Sequence, residues 1–394
     1  MLSIEQIGVL LLVAAVVAML ARRLRVPYSV GLVIAGIGLA LLPFSPKIEL
    51  TKQLLFTAFL PPLIFEASIH LRWRELRKDL PVVIMLATVG VALSGAVTAI
   101  GMHYLVKWSW MAAAIFGALI AATDPVSVIA TFKESRVTGR VRLLVEAESL
   151  FNDCTAAVAY TVVLALAAGQ NVGVLGATMM LAVDVIGALA CGALVAGGAL
   201  LLAGATDDHL VEVTFTAAAA FGSFLLAEHF HLSGVLATLT SGLMIGNIGH
   251  LSISAKSRQA VEDFWEYVAF LANSLIFLLI GIHVALQSFK AFIASATVAV
   301  LLVILSRAVA IYPVSLIFWK SRLRIKPRHQ HILFWGGLRG ALGLALALGL
   351  PPEIPGRQEI ITVAFAVVVF SILVQGLTIT PLMRRLGEID RGAA

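Results

Sequence analysis

Glu148-Ser-Leu-Phe-Asn-Asp153 gathers the side chains best suited to chemistry. On a helix, Ser149, Asn152 and Asp153 fall at i, i+3 and i+4 and share a face, with Glu148 at its edge. A hydroxyl, an amide and a carboxylate within one turn can replace the water around a small cation. A buried carboxylate can also take up a proton near neutral pH. If cation and proton bind Asp153 exclusively, each expels the other, and that competition couples their movements. The plainer alternative is that these groups are polar contacts between helices.

A second group is Ala121-Ala-Thr-Asp-Pro-Val-Ser127. Pro125 has no N–H to donate and clashes with the preceding turn, so the helix is expected to open there. Carbonyl oxygens near Thr123 would then stand beside the Asp124 carboxylate. Such irregular backbone is tolerated at membrane depth only where protein or water shields it; a simple proline kink is the alternative. A third group is Gly336-Gly-Leu-Arg-Gly340, where three glycines permit close backbone approach around Arg339. Arg307 and Arg339 stay charged and so serve poorly as proton carriers. They are expected to be fixed partners, one for Glu148 or Glu66, the other against the end of a broken helix. Glu66, Glu146 and Asp184 are further acids in apolar surroundings, Asp184 facing either a vestibule or a subunit interface. His70, His229, His231, His250, His329 and His331 are expected to be solvated or interfacial. No phosphate-binding glycine loop accompanies the Gly-rich patches, which argues against an ATP-driven pump. No cofactor and no enzymatic activity are expected.

These groups need elements to hold them, and composition says which. The chain has 394 residues, 60% hydrophobic and only 13% charged, with mean hydropathy +1.00. A polar surface for a soluble protein of this size cannot be built from that, so membrane lipid is the expected solvent. Crossing the hydrocarbon takes roughly 20 residues. Breaks at charge, Pro and Gly clusters give about thirteen segments: 4–21, 28–43, 52–70, 80–103, 109–132, 143–168, 173–204, 210–228, 232–247, 263–284, 290–318, 331–350 and 359–383. Gly8 to Leu20 reads as a first span rather than a signal peptide, because Met1 to Gln6 carries no Lys or Arg.

Of the 28 Lys and Arg, 21 fall on one alternating set of loops and tail and five on the other, with Arg307 and Arg339 inside helices. The positive-inside bias then puts the N-terminus outside and the C-terminus in the cytoplasm of a cell inner membrane. The net charge of +6 is accounted for by these loops, so no nucleic-acid partner is expected. No extended polar tail is seen, so no cytoplasmic regulatory domain is expected. Asp153 lies about ten residues into its span, about 15 Å deep, and Asp124, Arg307 and Arg339 reach similar depth. An ionisable side chain there is costly and marks a functional site.

Val26-Pro-Tyr-Ser-Val-Gly-Leu-Val-Ile-Ala-Gly36 resembles Leu232-Ser-Gly-Val-Leu-Ala-Thr-Leu-Thr-Ser-Gly242, and Ile64 to His70 echoes Phe277 to His283. The second offset carries Asp124 to Gly337, two residues from Arg339. Two halves are therefore expected, 28–168 and 232–384, joined by connecting helices over 169–231. Repeats with broken helices at the midplane are a device of alternating-access transporters.

Leu60-Pro-Pro-Leu-Ile-Phe-Glu66, Thr123-Asp-Pro-Val126, Glu148 to Asp153, Leu232 to Ala237, Ser306-Arg307 and Gly336 to Gly340, in this order, resemble the monovalent cation:proton antiporter 1 family of sodium/proton exchangers. The resemblance implies an all-α polytopic fold of 13 helices with two inverted repeats and discontinuous helices crossing at mid-membrane. It implies a core domain near 80–168 and 290–383, a dimerisation domain from the remaining helices, and a homodimer working by an elevator-like motion. Asp153 would then exchange cation and proton, with Thr123, Ser149 and Glu148 as cation ligands. Asp124 would stabilise the crossing of the unwound helices. Arg307 would pair with Glu148 or Glu66, and Arg339 would sit in the second broken helix. Asn152 fills the place of a second aspartate in electrogenic relatives, which implies electroneutral one-for-one exchange. Na+, with Li+, is the expected cation; K+/H+ antiport is the alternative, and a passive channel or non-transporting sensor the alternative of another class.

Overall fold

A computed structural model describes residues 4–24, 26–41, 50–124, 128–129, 132, 137, 139–167, 174–287 and 289–389. Its regular elements are almost all helical. They are α1 (Ile4–Leu24), α2 (Tyr28–Ala40), α3 (Leu60–Ile69), α4 (Trp73–Met85), α5 (Val91–Val106) and α6 (Trp110–Ala121). They continue with α7 (Arg140–Ala167), α8 (Val174–Ala203), α9 (His209–His229), α10 (Gly234–Ile248), α11 (Ala255–Ala285) and α12 (Ile293–Ile317). The last are α13 (Pro327–Gly336), α14 (Ala341–Leu348), α15 (Arg357–Phe370) and α16 (Gly376–Arg385). Wide π-helical turns lead into α3 (Leu54–Phe59), join α4 to α5 (Leu86–Gly90) and join α15 to α16 (Ser371–Gln375). Among the described residues, nine helical runs are long and apolar enough to cross a membrane. Tyr28–Ala40, Leu54–Ile69 and Trp110–Ala121 are shorter apolar helices. The chain is an all-α polytopic membrane protein.

Several helix limits differ from the sequence expectation. Instead of starting at residue 80, the fourth helical run starts at Trp73, so Arg74, Glu75, Arg77 and Lys78 lie in its first turns. Likewise α11 starts at Ala255 rather than 263. Lys, Arg, Glu and Gln are good helix formers, so charge marks the edge of the apolar layer without ending the helix. The expected segment 109–132 is interrupted after Ala121, with Val128, Ile129 and Phe132 helical again, and 331–350 is split into α13 and α14. Pro125, the expected cause of the first interruption, lies outside the described residues.

By contact the chain divides into two units. The first comprises Met1–Lys52, Pro81–Asn152 and Ser274–Ala394. Its core includes Ile115, Phe116 and Leu119 of α6 with Val363, Ala364 and Phe365 of α15, all fully buried. Within it α5 and α6 approach so closely that a side chain at Gly117 would overlap the Gly95 carbonyl. Small residues at such crossings let membrane helices gain packing contact.

The second unit comprises Gln53–Leu80 and Asp153–Asn273. It packs around Trp265 and Phe65, whose ring centres are 4.5 Å apart. Trp265 is fully buried and donates its Nε1–H to Thr216 Oγ1 at 2.9 Å, satisfying the polar end of the ring. The first residue of this unit's second stretch, Asp153, continues the helix that carries Glu148, Ser149 and Asn152.

Candidate functional site

Two helix interruptions meet. After Ala121, Ala122 turns to extended backbone (φ −56°, ψ 139°), which leaves the last carbonyls of α6 without helical partners. The chain then runs through buried Thr123 to Asp124. In the other interruption, Gly337 (φ −74°, ψ 64°) makes an inverse γ-turn, closed by the Leu338 N–H donating to the Gly336 carbonyl at 2.8 Å. One antiparallel bridge joins the two, Asp124 N–H donating to the Leu338 carbonyl at 2.7 Å. At Gly340, before α14, any β-carbon would overlap the Asp124 side chain. Glycine is needed there for the close approach, since its φ of −140° is open to any residue.

The two arginines serve the cut helix ends differently. The Arg339 Nη1 donates to the carbonyls of Ala121 at 2.7 Å and Ala122 at 3.1 Å. It supplies positive charge where the helix dipole of α6 is negative. Arg307, on α12, grips Glu148 through two parallel bonds, Nη1 to Oε1 at 2.7 Å and Nη2 to Oε2 at 2.9 Å. Its Nε and Nη2 also donate to the Leu333 carbonyl near the end of α13, at 3.2 and 2.9 Å. Gly337 makes room, because a side chain there would strike the guanidinium. Ser94 on α5 and Ser306 on α12, one residue before Arg307, share a 2.9 Å hydroxyl bond.

Both oxygens of Glu148 are thus held by Arg307, and Asn152 Nδ2 adds a 3.2 Å bond to Oε1. Of the two partners the sequence left open for Arg307, the structure selects Glu148. Glu66 lies 3.8 Å from His70 Nδ1, at the C-cap of its own helix. The Asn152 amide nitrogen is turned to Glu148, while its Oδ1 is buried with no hydrogen-bond partner among the described residues.

Thr123 Oγ1 donates to Ser149 Oγ at 3.2 Å, and both residues are buried. One turn further along α7 stands Asp153, half-buried. Hydroxyl and carboxylate oxygens of this kind suit a small hard cation better than a soft metal. Carboxylates elsewhere have other work. Glu146 accepts from Arg142 Nε at 2.7 Å. Asp184, whose sequence context left two readings, accepts the Ser233 N–H at 2.6 Å, at the N-cap of α10. His329 departs from the expectation for the histidines: it is buried, with Nε2 3.2 Å from the Glu388 carboxylate. Its place in the first turn of α13 hid it among residues that read as a basic loop.

Ser371 and Gln375 were not singled out in the sequence. Ser371 Oγ accepts the Arg339 N–H at 2.9 Å and donates to Gln375 Oε1 at 2.6 Å. A serine and a glutamine in an apolar helix carry no marker, and the π-turn that aligns them has no sequence signal.

Interrupted helices that meet inside an all-α membrane protein, held by buried arginines beside a carboxylate, define the class as a secondary-transporter type. Comparison with known proteins narrows it. The family described as sodium/hydrogen exchanger, transmembrane, matches residues 9–385. The Na+/H+ antiporter ApNhaP of Aphanothece halophytica is 36% identical over 394 residues, covering 98% of this chain and 75% of the relative. The Na+/H+ antiporter NhaH of Halobacillus aidingensis is 34% identical over 400 residues, covering 97% of each. The structure of the sodium proton antiporter MjNhaP1 from Methanocaldococcus jannaschii at pH 8 superposes with a TM-score of 0.77 at 21% identity, covering 97% of this chain and 98% of that one. This chain belongs to the sodium/hydrogen exchanger family.

Proposed function

We propose that the protein is a secondary active antiporter that exchanges Na+, and Li+, for H+ across the cell inner membrane. The observation that carries this is the placement of Ser149 one turn before Asp153 on α7, with its hydroxyl bonded to Thr123 at the end of the first interruption. Asp153 is the exchangeable carboxylate. Ionised, it binds the cation together with the oxygens of Thr123 and Ser149; protonated, it releases it. Glu148 acts less directly, because its carboxylate is committed to Arg307. It fixes Ser149 and Asp153 on their turn of α7, and any share in cation binding runs through water. Asp124 supports the crossing of the interrupted segments, and Arg339 holds the end of α6. Asn152 is neutral and Glu148 is paired with Arg307; with Asp153 as the exchangeable carboxylate, this supports electroneutral one-for-one exchange.

The nine long runs, three shorter apolar helices and the interrupted α13–α14 element would make thirteen crossings. The two interruptions fall in corresponding positions of halves 28–168 and 232–384, which supports an inverted-repeat reading. Helices near 80–168 and 290–383 would form the ion-binding core and the others the dimerisation part of a homodimer. The N-terminus lies outside and the C-terminus in the cytoplasm.

The test is reconstitution into vesicles carrying an imposed pH gradient. Addition of Na+ or Li+ is expected to collapse the gradient, with the same rate whether the membrane potential is clamped or free. K+ is run alongside to decide the cation. Asp153→Asn is expected to abolish the response while the protein still folds. Exchange retained in that variant would overturn the assignment of the site.

A further inference from the structure

The second interruption is held from α15 and the π-turn after it by a short relay of side chains. The Arg339 N–H falls outside α14 and has no helical acceptor; it donates to Ser371 Oγ at 2.9 Å. Ser371 passes its own hydroxyl proton to Gln375 Oε1 at 2.6 Å. Gln375 Nε2 points back to the Trp335 carbonyl at 3.5 Å, in the last turn of α13. One pair of side chains therefore addresses the chain on both sides of the break. Both are buried, Ser371 at 1% and Gln375 at 6% exposure.

The π-turn Ser371–Gln375 makes this possible. A helical serine ordinarily returns its hydroxyl proton to a carbonyl one turn back. Here the proton is drawn forward to Gln375, and the oxygen lone pairs are left facing Arg339. Single π-turns within α-helices recur at functional sites for this kind of local re-aiming.

We infer that Ser371, oriented by Gln375, is a positioning residue for cation binding. The path is short. Ser371 fixes the Arg339 backbone, and the Arg339 guanidinium fixes the Ala121 and Ala122 carbonyls. The next residue is Thr123, whose hydroxyl meets Ser149. Neither Ser371 nor Gln375 touches the cation; they set where the Thr123 oxygens stand. The proton side of the competition rests on Asp153 and is not reached by this path.

The inference rests on the antiporter reading and predicts a split between kinetic parameters. Ser371→Ala is expected to raise the KM for Na+ about fivefold, the scale of one lost neutral hydrogen bond. Maximal rate should stay nearly unchanged. Because cation affinity falls while proton affinity does not, the pH optimum at fixed Na+ should move to more alkaline values. Ser371→Thr, which keeps the oxygen, should restore both. A Ser371→Ala protein with parental KM and pH profile, even at lower yield or rate, overturns the inference. Should Ser371→Ala fail to fold, Gln375→Leu decides: it should raise KM in the same direction by about twofold, as one outer bond is loosened, and an unchanged KM overturns the inference. Asp153→Asn run in the same vesicles separates the two levels. Its inactivity with an unaltered Ser371→Ala removes only the positioning role, whereas its continued exchange removes the assignment of Asp153 beneath it, and a parental protein that shows no cation-driven exchange removes the antiporter reading itself.

Discussion

Arg307 and Arg339 are both buried and both serve cut helix ends, yet they are neutralised differently. Arg307 faces a full carboxylate, Glu148, through two parallel bonds and adds the Leu333 carbonyl. Arg339 faces the backbone carbonyls of Ala121 and Ala122, partial charges at a helix end. The first pairing joins α12 to α7, the helix that carries Asp153. The second fastens the two interruptions to each other. A charge pair suits a contact that must also cancel an acid beside Asp153. A guanidinium on carbonyls suits a helix end, where the acceptors are backbone groups.

Breaking the charge pair should cost most. Arg307→Ala leaves Glu148 buried without its partner, and loss of about 3–5 kcal/mol is expected. Thermal unfolding in detergent should show a large fall, and the double change Arg307→Ala with Glu148→Ala should recover much of it. No recovery would mean that the Leu333 bonds, and not Glu148, are what Arg307 supplies.

Arg339→Met should cost less, about 1–3 kcal/mol, as the Ala121 and Ala122 carbonyls lose their donor. Its effect on Na+-driven exchange should exceed its effect on stability, because the crossing itself shifts. Gly340→Ala attacks the same crossing from the other side, forcing a β-carbon into Asp124. A cost of about 1–3 kcal/mol is expected, with exchange lost at normal protein yield. If exchange survives, the crossing need not be this tight.

The smallest effect belongs to Asp184. Asp184→Asn keeps an oxygen for the Ser233 N–H, so stability and exchange should both stay near parental values. Strong loss of exchange would give Asp184 a titrating role that its capping geometry does not call for.

Much of the site was legible because membranes make polar residues expensive. Asp124, Glu148, Asp153, Arg307 and Arg339 stood out from apolar sequence, and the glycines around Arg339 marked the second interruption. The partners were less legible. Whether Arg307 chose Glu148 or Glu66 depends on helix packing, which spacing along one chain does not encode. The direction of the Asn152 amide depends on Glu148 one turn earlier. Helix starts at Trp73 and Ala255 were missed because hydropathy reports the lipid boundary, whereas hydrogen bonding continues through charged helix formers. Ser371 and Gln375 were missed because ordinary polar residues act there through a π-turn.

The central claim is that Na+ and H+ compete for Asp153. It is tested most directly by the KM for Na+ in reconstituted vesicles over a series of pH values. Competition predicts that on the acid side KM rises tenfold for each unit fall in pH while the maximal rate at saturating Na+ stays constant. A KM independent of pH, with the maximal rate alone falling in acid, would contradict it and place the proton on a group other than the one that binds the cation.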